Sequence, residues 1–370
     1  MDNQICYCQK CVLNSNIPGI KIEQDNQCNI CNGEYIKGSK NKIKGQMKTC
    51  KEFEKSLLIN NNVYDCLFML SGGKDSLYAL REMIDRKDVN FLAFTLKHPY
   101  FTEDSISNIE LIKEKYDFNH MYFNYQKDTY LKMYQKLFSD EKKWSEFDAQ
   151  RLACHICVCL TIITATVFAY KMNIKYIMMC LDPEQIGVMN QNGKYYLNVF
   201  EEIIGIDFLY ELFGKEVIDD IKELDDCKVP IMFSPYAAML KYDKKYIISK
   251  LKEWGIYQGN TGLHKCKLSP LLYYYSAKRY NSYYSIMKIA NSVRKNELER
   301  EKAIIFLEKY QEFMEKTDFS KEITNDEKDK LERIFEIIYP KDNYEEELMF
   351  EVNNTLGICK TLKEYNITIK

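Results

Sequence analysis

The sequence predicts an α/β fold built on a doubly wound parallel sheet, with a thiol-rich module before it and a helical region after it. Three observations carry that prediction. Apolar runs of strand length alternate with helical segments from Tyr64 onward, the pattern of a parallel sheet with crossover helices. A strand-like run at Tyr64–Leu70 meets a glycine turn, Ser71-Gly72-Gly73-Lys74-Asp75-Ser76, and then a helical segment, Leu77–Ile84. Two C-x-x-C pairs, Cys8/Cys11 and Cys28/Cys31, are separated by sixteen residues near the start.

The 370 residues, 46% of them hydrophobic, suffice for two or three units with cores of their own. Charge is nearly balanced, 52 basic against 54 acidic residues, so nothing overall demands a nucleic-acid partner. The start Met-Asp-Asn-Gln-Ile-Cys has no apolar leader pattern, and Ile156–Tyr170 reads as a buried helix rather than a membrane span. A cytoplasmic protein with no membrane partner is expected. Fourteen cysteines without a secretion signal point to metal ligation or sulfur chemistry rather than to disulfides.

Residues 1–35 form the first expected unit. The paired C-x-x-C spacing is that of a four-thiolate zinc site with Cys8, Cys11, Cys28 and Cys31 as ligands. The segment has few large apolar residues, so Zn2+ would supply its fold. Four thiolates leave no open coordination position, hence a structural, zinc-ribbon-like role; Cys6 is a spare thiol. Residues 36–60, rich in lysine and glycine, read as a linker running into a charged helix near Thr49–Leu58.

Residues 61–265 hold the sheet. Strands are expected at Tyr64–Leu70, Phe91–Leu96, His120–Asn124 and Tyr176–Cys180. Helices are expected at Glu103–Lys115, around Asp128–Phe138 and over Gln150–Lys171. In such sheets ligands sit beyond the C-terminal strand ends. The turn at Ser71 and the segments after Leu96 and Cys180 would converge there. Two adjacent glycines let the turn approach a ligand closely, and the first N–H groups of the following helix favour an anion. Ser71 and Ser76 supply hydroxyls, Lys74 a positive charge, and Asp75 a carboxylate for Mg2+. The spacing is not that of the common ATPase loop, which places four residues between its first Gly and Gly-Lys.

Cys154-His155-Ile156-Cys157 opens the long apolar helix, with the two cysteines on one helical face. A redox or sulfur-carrying pair, ligands of an iron–sulfur cluster, and buried packing residues all fit. Cys180 at a strand end and Cys266 in a loop are candidate third thiols. Further on, an acidic helix at Glu216–Asp226, the run Val229–Phe233 and an amphipathic helix at Asp243–Trp254 close the unit. Residues 266–370 form the C-terminal helical region. Its aromatic and basic stretch, Tyr273 to Lys295, would suit RNA, an anionic sugar or an ordinary packed face. Helices are expected at Asn296–Lys316 and Asp326–Tyr339, and a short tail after them.

The motif Ser71-Gly72-Gly73-x-Asp75-Ser76 resembles the PP-loop of the ATP pyrophosphatases. More of the chain is similar to the N-acetyl sugar amidotransferases of that superfamily. The likeness runs through Tyr7-Cys8-x-x-Cys11-Val12, Pro18-Gly19-Ile20, Tyr64-Asp65 and the loop. It continues through His98-Pro99-Tyr100 with Thr102-Glu103, Cys154-His155-x-Cys157, Lys278-Arg279-Tyr280 and the Arg294–Ala303 segment. The sequence departs from the family after the fourth strand, with Cys180-Leu181-Asp182-Pro183-Glu184 where Trp-Gly-Glu is expected. The resemblance implies an adenine nucleotide alpha hydrolase-like fold with ATP bound by Ser71–Ser76 and His98, Lys74 and Asp75 acting in catalysis. It implies adenylation of a carbonyl oxygen, and displacement of AMP by ammonia on an N-acetyl sugar. A separate glutaminase subunit would deliver the ammonia, and a homo-oligomer is expected. The rival reading inserts sulfur into a small amide or a tRNA, tRNA being less favoured, with a sulfur donor and with Cys154 and Cys157 as catalytic thiols. A third reading is a catalytically silent zinc- and nucleotide-binding subunit.

Overall fold

A computed structural model describes residues 6–17, 19–58, 63–139, 152–181, 190–235, 243–258 and 266–365. The chain divides into two compact units. One comprises Met1–Tyr35, Phe138–Cys154 and Gly262–Lys370; the other comprises Ile36–Leu137 and His155–Thr261.

The second unit holds a five-stranded sheet: β1 Cys66–Met69, β2 Phe91–Leu96, β3 His120–Phe123, β4 Tyr176–Met178 and β5 Ile231–Phe233. Every pairing is parallel and the spatial order is β3-β2-β1-β4-β5. β1 and β2 are almost wholly buried, as the near-continuous apolar runs of a two-sided parallel sheet require. The chain moves outward from β1 through β2 to β3, then returns to add β4 on β1's other side. The direction therefore reverses between β1 and β4, so the loop leaving β1 sits at the switch point where such sheets bind ligands.

The expected strands all form, each within its expected range. β5 is an additional strand. It is only three residues long and follows Pro230, which removes a ladder donor and suits an edge position. Around the sheet lie α1 Glu34–Ser56, α2 Lys74–Asp85, α3 Glu103–Lys115, α4 Lys127–Ser139 and α5 Leu152–Lys171. α6 Gly193–Ile203, α7 Ile206–Phe213, α8 Lys215–Glu223 and α9 Lys244–Glu253 follow. α9 starts at Asp243, whose carboxylate accepts from the N–H of Lys245 and Tyr246 at 2.9 and 3.1 Å, a side-chain cap of the usual kind.

α1 corrects one expectation. The lysine-rich stretch read as a linker is helical from Glu34 through Gly38 and Gly45. It is anchored by contacts that no apolar periodicity reveals. Gln46, buried, accepts from the N–H of Ser234 at 2.6 Å, and Phe53 packs edge-on against Tyr176 and obliquely against Phe233. α5 contains a window, Cys154–Lys171, long and apolar enough to cross a membrane, but 56% of it is buried inside the protein. Phe168 packs on Phe94 of β2, and Thr164 meets the Tyr125 hydroxyl at 3.0 Å. The helix is a core element.

In the first unit the C-terminal helices are α10 Ser269–Tyr280, α11 Ile286–Arg294, α12 Arg300–Lys316, α13 Asn325–Glu336, α14 Lys341–Leu356 and α15 Ile358–Tyr365. The tail expected after Tyr339 is two helices. Their packed faces carry Glu351, Thr355 and Thr361 among Leu348, Val352, Ile358 and Cys359, which blurs the apolar stripe. The tyrosines of Tyr273–Lys295 belong mainly to this core: Tyr273, Tyr275, Tyr280, Tyr283 and Tyr284 are buried. Tyr283 stacks edge-on against Phe306 and Tyr310. These tyrosines form a packed face.

Candidate active site and metal centre

The glycine turn lies where β1 ends. Gly72 has φ +68°, the left-handed region that favours glycine, and its α-carbon presses on the start of α3. A methyl group there would stand 2.1 Å from the Ser105 carbonyl oxygen. Gly73, at φ −87° and ψ 157°, is the N-cap of α2 and brings no capping side chain. The first turn of the helix thus receives no oxygen from its own cap residue, the arrangement that receives anions elsewhere.

The two serines, expected as ligand donors, brace the loop. The Ser76 hydroxyl reaches the Gly73 carbonyl at 3.0 Å and the Ser71 hydroxyl at 3.1 Å, and the Ser71 N–H donates to Ser76 Oγ at 3.3 Å. Further support comes from residues the sequence reading did not single out. Asn108 Nδ2 donates to the Gly72 carbonyl at 3.2 Å, while its Oδ1 accepts from the Gln258 N–H at 2.7 Å. Thr95 donates to the Leu70 carbonyl at 2.6 Å and accepts from His120 Nε2 at 2.9 Å. Asn108 carried a usable signal: it is a buried amide on the apolar face of α3.

Lys74 and Asp75 stand together, Nζ to Oδ2 2.5 Å, both side chains mostly shielded. Asp75 Oδ1 is buried without a hydrogen-bond partner among the described residues. A buried carboxylate oxygen is costly unless something pairs with it. It is a fitting ligand for Mg2+, a hard cation held through carboxylate oxygen and substrate phosphate. Cys180 follows β4: burial chiefly pushes its thiol well above the ordinary range, and the Asp75 carboxylate pushes the same way. Cys180 is therefore a thiol, not a thiolate.

His98 follows β2 at the same edge of the sheet. Its Nδ1 accepts from the Tyr100 N–H at 3.2 Å, and its ring stacks on Phe101 at 4.2 Å. Burial pushes the imidazole down to about 4. It is neutral near pH 7, with its proton on Nε2. Tyr130, fully buried nearby, keeps a hydroxyl with no hydrogen-bond partner among the described residues. His120 is likewise neutral, pushed down to about 4 chiefly by burial and then by Lys113.

Of the other predicted thiols, Cys154 and Cys157 lie three residues apart in the first turns of α5. Cys154 belongs to the first unit, its Sγ 3.4 Å from the Tyr284 hydroxyl, and Cys157 to the second. Both are half-buried. Cys266, also half-buried, belongs to the first unit, and its sulfur accepts from the Leu268 N–H at 3.4 Å. Asp182, Pro183 and Glu184, and Gly262 to Lys265 of the Cys266 loop, lie outside the described residues.

In the first unit Cys8, Cys11, Cys28 and Cys31 come together, all four buried and their sulfurs all within 4.8 Å of one another. Cys11 and Cys28 Sγ are 3.8 Å apart. Tetrahedral zinc at Zn–S of about 2.3 Å requires sulfurs about 3.8 Å apart. Two short antiparallel bridges, Tyr7 to Asn14 and Ile22 to Cys28, shape the knuckles. The Cys28 N–H donates to Cys8 Sγ at 3.2 Å and the Leu13 N–H to Cys11 Sγ at 3.5 Å. Cys28 is drawn down to about 5 chiefly by its hydrogen bond with Cys11, which the same bond pushes up. The donor set fits a structural zinc ion. Cys6 lies outside it and is exposed.

No protein-family model matches the chain, and no curated protein matches it. Among solved structures the chain is similar to the U34-tRNA thiolase NcsA from Methanococcus maripaludis with its [4Fe-4S] cluster. Identity is 14%, covering 85% of this chain and 89% of that one, with a TM-score of 0.36. It is also similar to the NMN synthetase from Francisella tularensis, at 11% identity over 71% of this chain and 94% of that one, with a TM-score of 0.29. Likeness this distant carries no argument about chemistry, which rests on the chain's own residues.

Proposed function

We propose that the chain cleaves ATP to AMP and pyrophosphate, activating a carbonyl oxygen as its adenylate. The observation that carries this reading is the glycine turn at the sheet's switch point, with Gly72 locked at positive φ against Ser105 and α2 starting behind it.

In this reading the pyrophosphate end of ATP lies on the first turn of α2, where backbone N–H groups and Lys74 meet its charge. Asp75 would hold Mg2+, which would supply counter-charge to the leaving pyrophosphate. The acceptor's carbonyl oxygen attacks the α-phosphorus, and the bond to the bridging oxygen of pyrophosphate breaks. A nucleophile then adds to the activated carbon, loses a proton, and AMP departs with the former carbonyl oxygen. His98, neutral and protonated on Nε2, donates a hydrogen bond to nucleotide at the edge of the site.

The favoured nucleophile is ammonia and the favoured acceptor an N-acetyl sugar, giving an acetamidino group. The support is the sequence resemblance, which extends through the Arg294–Ala303 segment. A separate glutaminase supplies the ammonia. The second reading, sulfur insertion, draws on one specific observation: a thiol, Cys180, follows β4, the strand paired with β1 ahead of the glycine turn. Incubating the protein with ATP, N-acetylated sugars and ammonium, or with sulfide, and weighing the acceptor decides the matter. Replacement of oxygen by nitrogen supports amidination. Replacement by sulfur transfers the assignment to the rival, and ADP as the sole nucleotide product overturns both.

A further inference from the structure

We infer that Arg300 is the positioning residue of the four-cysteine centre, fixing the Cys8–Cys11 knuckle and supplying counter-charge to the metal-loaded thiolates. The inference rests on the reading of that centre as a zinc site.

Arg300 is the first residue of α12. Its guanidinium makes three hydrogen bonds to the knuckle: Nε donates to the Cys8 carbonyl at 3.1 Å and to the Cys11 carbonyl at 3.0 Å, and a terminal nitrogen donates to the Cys8 carbonyl at 2.9 Å. Nearly three hundred residues of chain separate the partners. The contact therefore ties the N-terminal module to the C-terminal helices within one compact unit.

Two physical facts make this more than packing. First, a cation at the first position of a helix is misplaced with respect to the helix dipole, which favours anions there. The position is accounted for by what the guanidinium reaches, the backbone of two metal-ligating residues. Second, a divalent ion on four thiolates leaves a net charge of about −2. Cys8, Cys11 and Cys28 are fully buried and Cys31 nearly so. Buried charge needs compensation. Amide N–H donors to Cys8 and Cys11 sulfur supply dipoles; the half-buried Arg300 supplies a full charge. Its bonds also draw the Cys8 and Cys11 carbonyls inward to one fork, which sets the turn that points both sulfurs at the ion. A lysine carries the charge but has no fork and cannot span both carbonyls in this geometry.

The test is metal release from the full-length protein. Wild type, Arg300→Lys, Arg300→Gln and the neighbouring control Glu299→Gln are loaded with zinc, and transfer to a chromophoric chelator is timed. Cobalt(II) substitution reports the ligand field in parallel, and far-UV circular dichroism verifies helix content. Loss of an outer partner of a metal ligand weakens metal binding about 10–100-fold. The expected result is therefore release at least about tenfold faster in both Arg300 variants, altered cobalt(II) thiolate bands in Arg300→Lys, and wild-type behaviour in Glu299→Gln. If Arg300→Gln does not fold, Arg300→Lys carries the test alone. Release from Arg300→Lys less than about tenfold faster, with unchanged cobalt bands, overturns the inference. A wild-type protein that takes up neither zinc nor cobalt overturns the metal reading beneath it, and is seen before any variant is made.

Discussion

Gly72→Ala isolates the strained turn. At φ +68° a side chain costs about 1–2 kcal/mol. The new methyl group would stand 2.1 Å from Ser105 O and 2.9 Å from Ser105 C. Neither atom is the end of a flexible side chain, so α3 or the loop must move by roughly 1 Å, and forced repacking of a filled site costs about 1–3 kcal/mol. Any such shift also loosens the bond from Asn108 to the Gly72 carbonyl. The total, ~2–5 kcal/mol, predicts a fall in Tm of about 5–15 °C and loss of most pyrophosphate release at temperatures where the protein is still folded. The matched control is Gly73→Ala, whose backbone at φ −87° and ψ 157° admits any residue and which loses about 1 kcal/mol of capping preference. Thermal melts and a coupled pyrophosphate assay read both. Gly72→Ala with wild-type Tm and turnover, or Gly73→Ala as damaging as Gly72→Ala, would refute the reasoning.

Three further outcomes are expected. Replacing Cys28 and Cys31 by serine should remove close to one zinc per chain in elemental analysis and melt the N-terminal knuckles; full zinc retention contradicts the site. Replacing Cys154 and Cys157 by serine should leave ammonia-supported turnover within about an order of magnitude, ~1.4 kcal/mol of barrier, whereas a sulfur-inserting enzyme would lose product while still forming adenylate. Stability should fall in acid because of His98 and His120. Each imidazole is held near 4 when folded and returns to about 6.5 when unfolded. The unfolded chain binds the extra proton, so this stability is complete above about pH 6.5 and lost as pH falls towards 4. By pH 5 about 2 kcal/mol of the His98 contribution has been lost. Tm measured from pH 7.5 to 5 should show a shallower acid slope in His98→Gln than in wild type, and an unchanged slope would count against the neutral-imidazole account.

How much was legible beforehand follows from where the information sits. The strands of the sheet interior could be read because burial on both faces leaves uninterrupted apolar runs such as Phe91–Leu96. β5 could not, since three residues after a proline carry no periodicity. The loop was readable as a motif, but the roles inside it were not. Ser71 and Ser76 look like ligand donors in sequence and turn out to bind each other and the Gly73 carbonyl. Asn108 shows in the sequence only as an amide within the apolar face of α3, while Thr95 and His120 act through contacts between neighbouring elements, which sequence spacing does not encode. The grouping of Cys8, Cys11, Cys28 and Cys31 was legible because paired C-x-x-C spacing is itself the geometry. Arg300 was not, because its partners lie at the other end of the chain. α1 and α14 were misread for a common reason: each docks partly through buried polar groups, Gln46 in one and Glu351 in the other.

The central claim is that this chain breaks ATP between its α- and β-phosphorus atoms. The most direct measurement is chromatography of the nucleotide products formed with an N-acetyl sugar and ammonium present, alongside Asp75→Ala. The account predicts AMP and pyrophosphate in equal amounts from the wild type and a loss of several orders of magnitude in the variant. ADP and phosphate as the products, or Asp75→Ala with undiminished AMP formation, would contradict it.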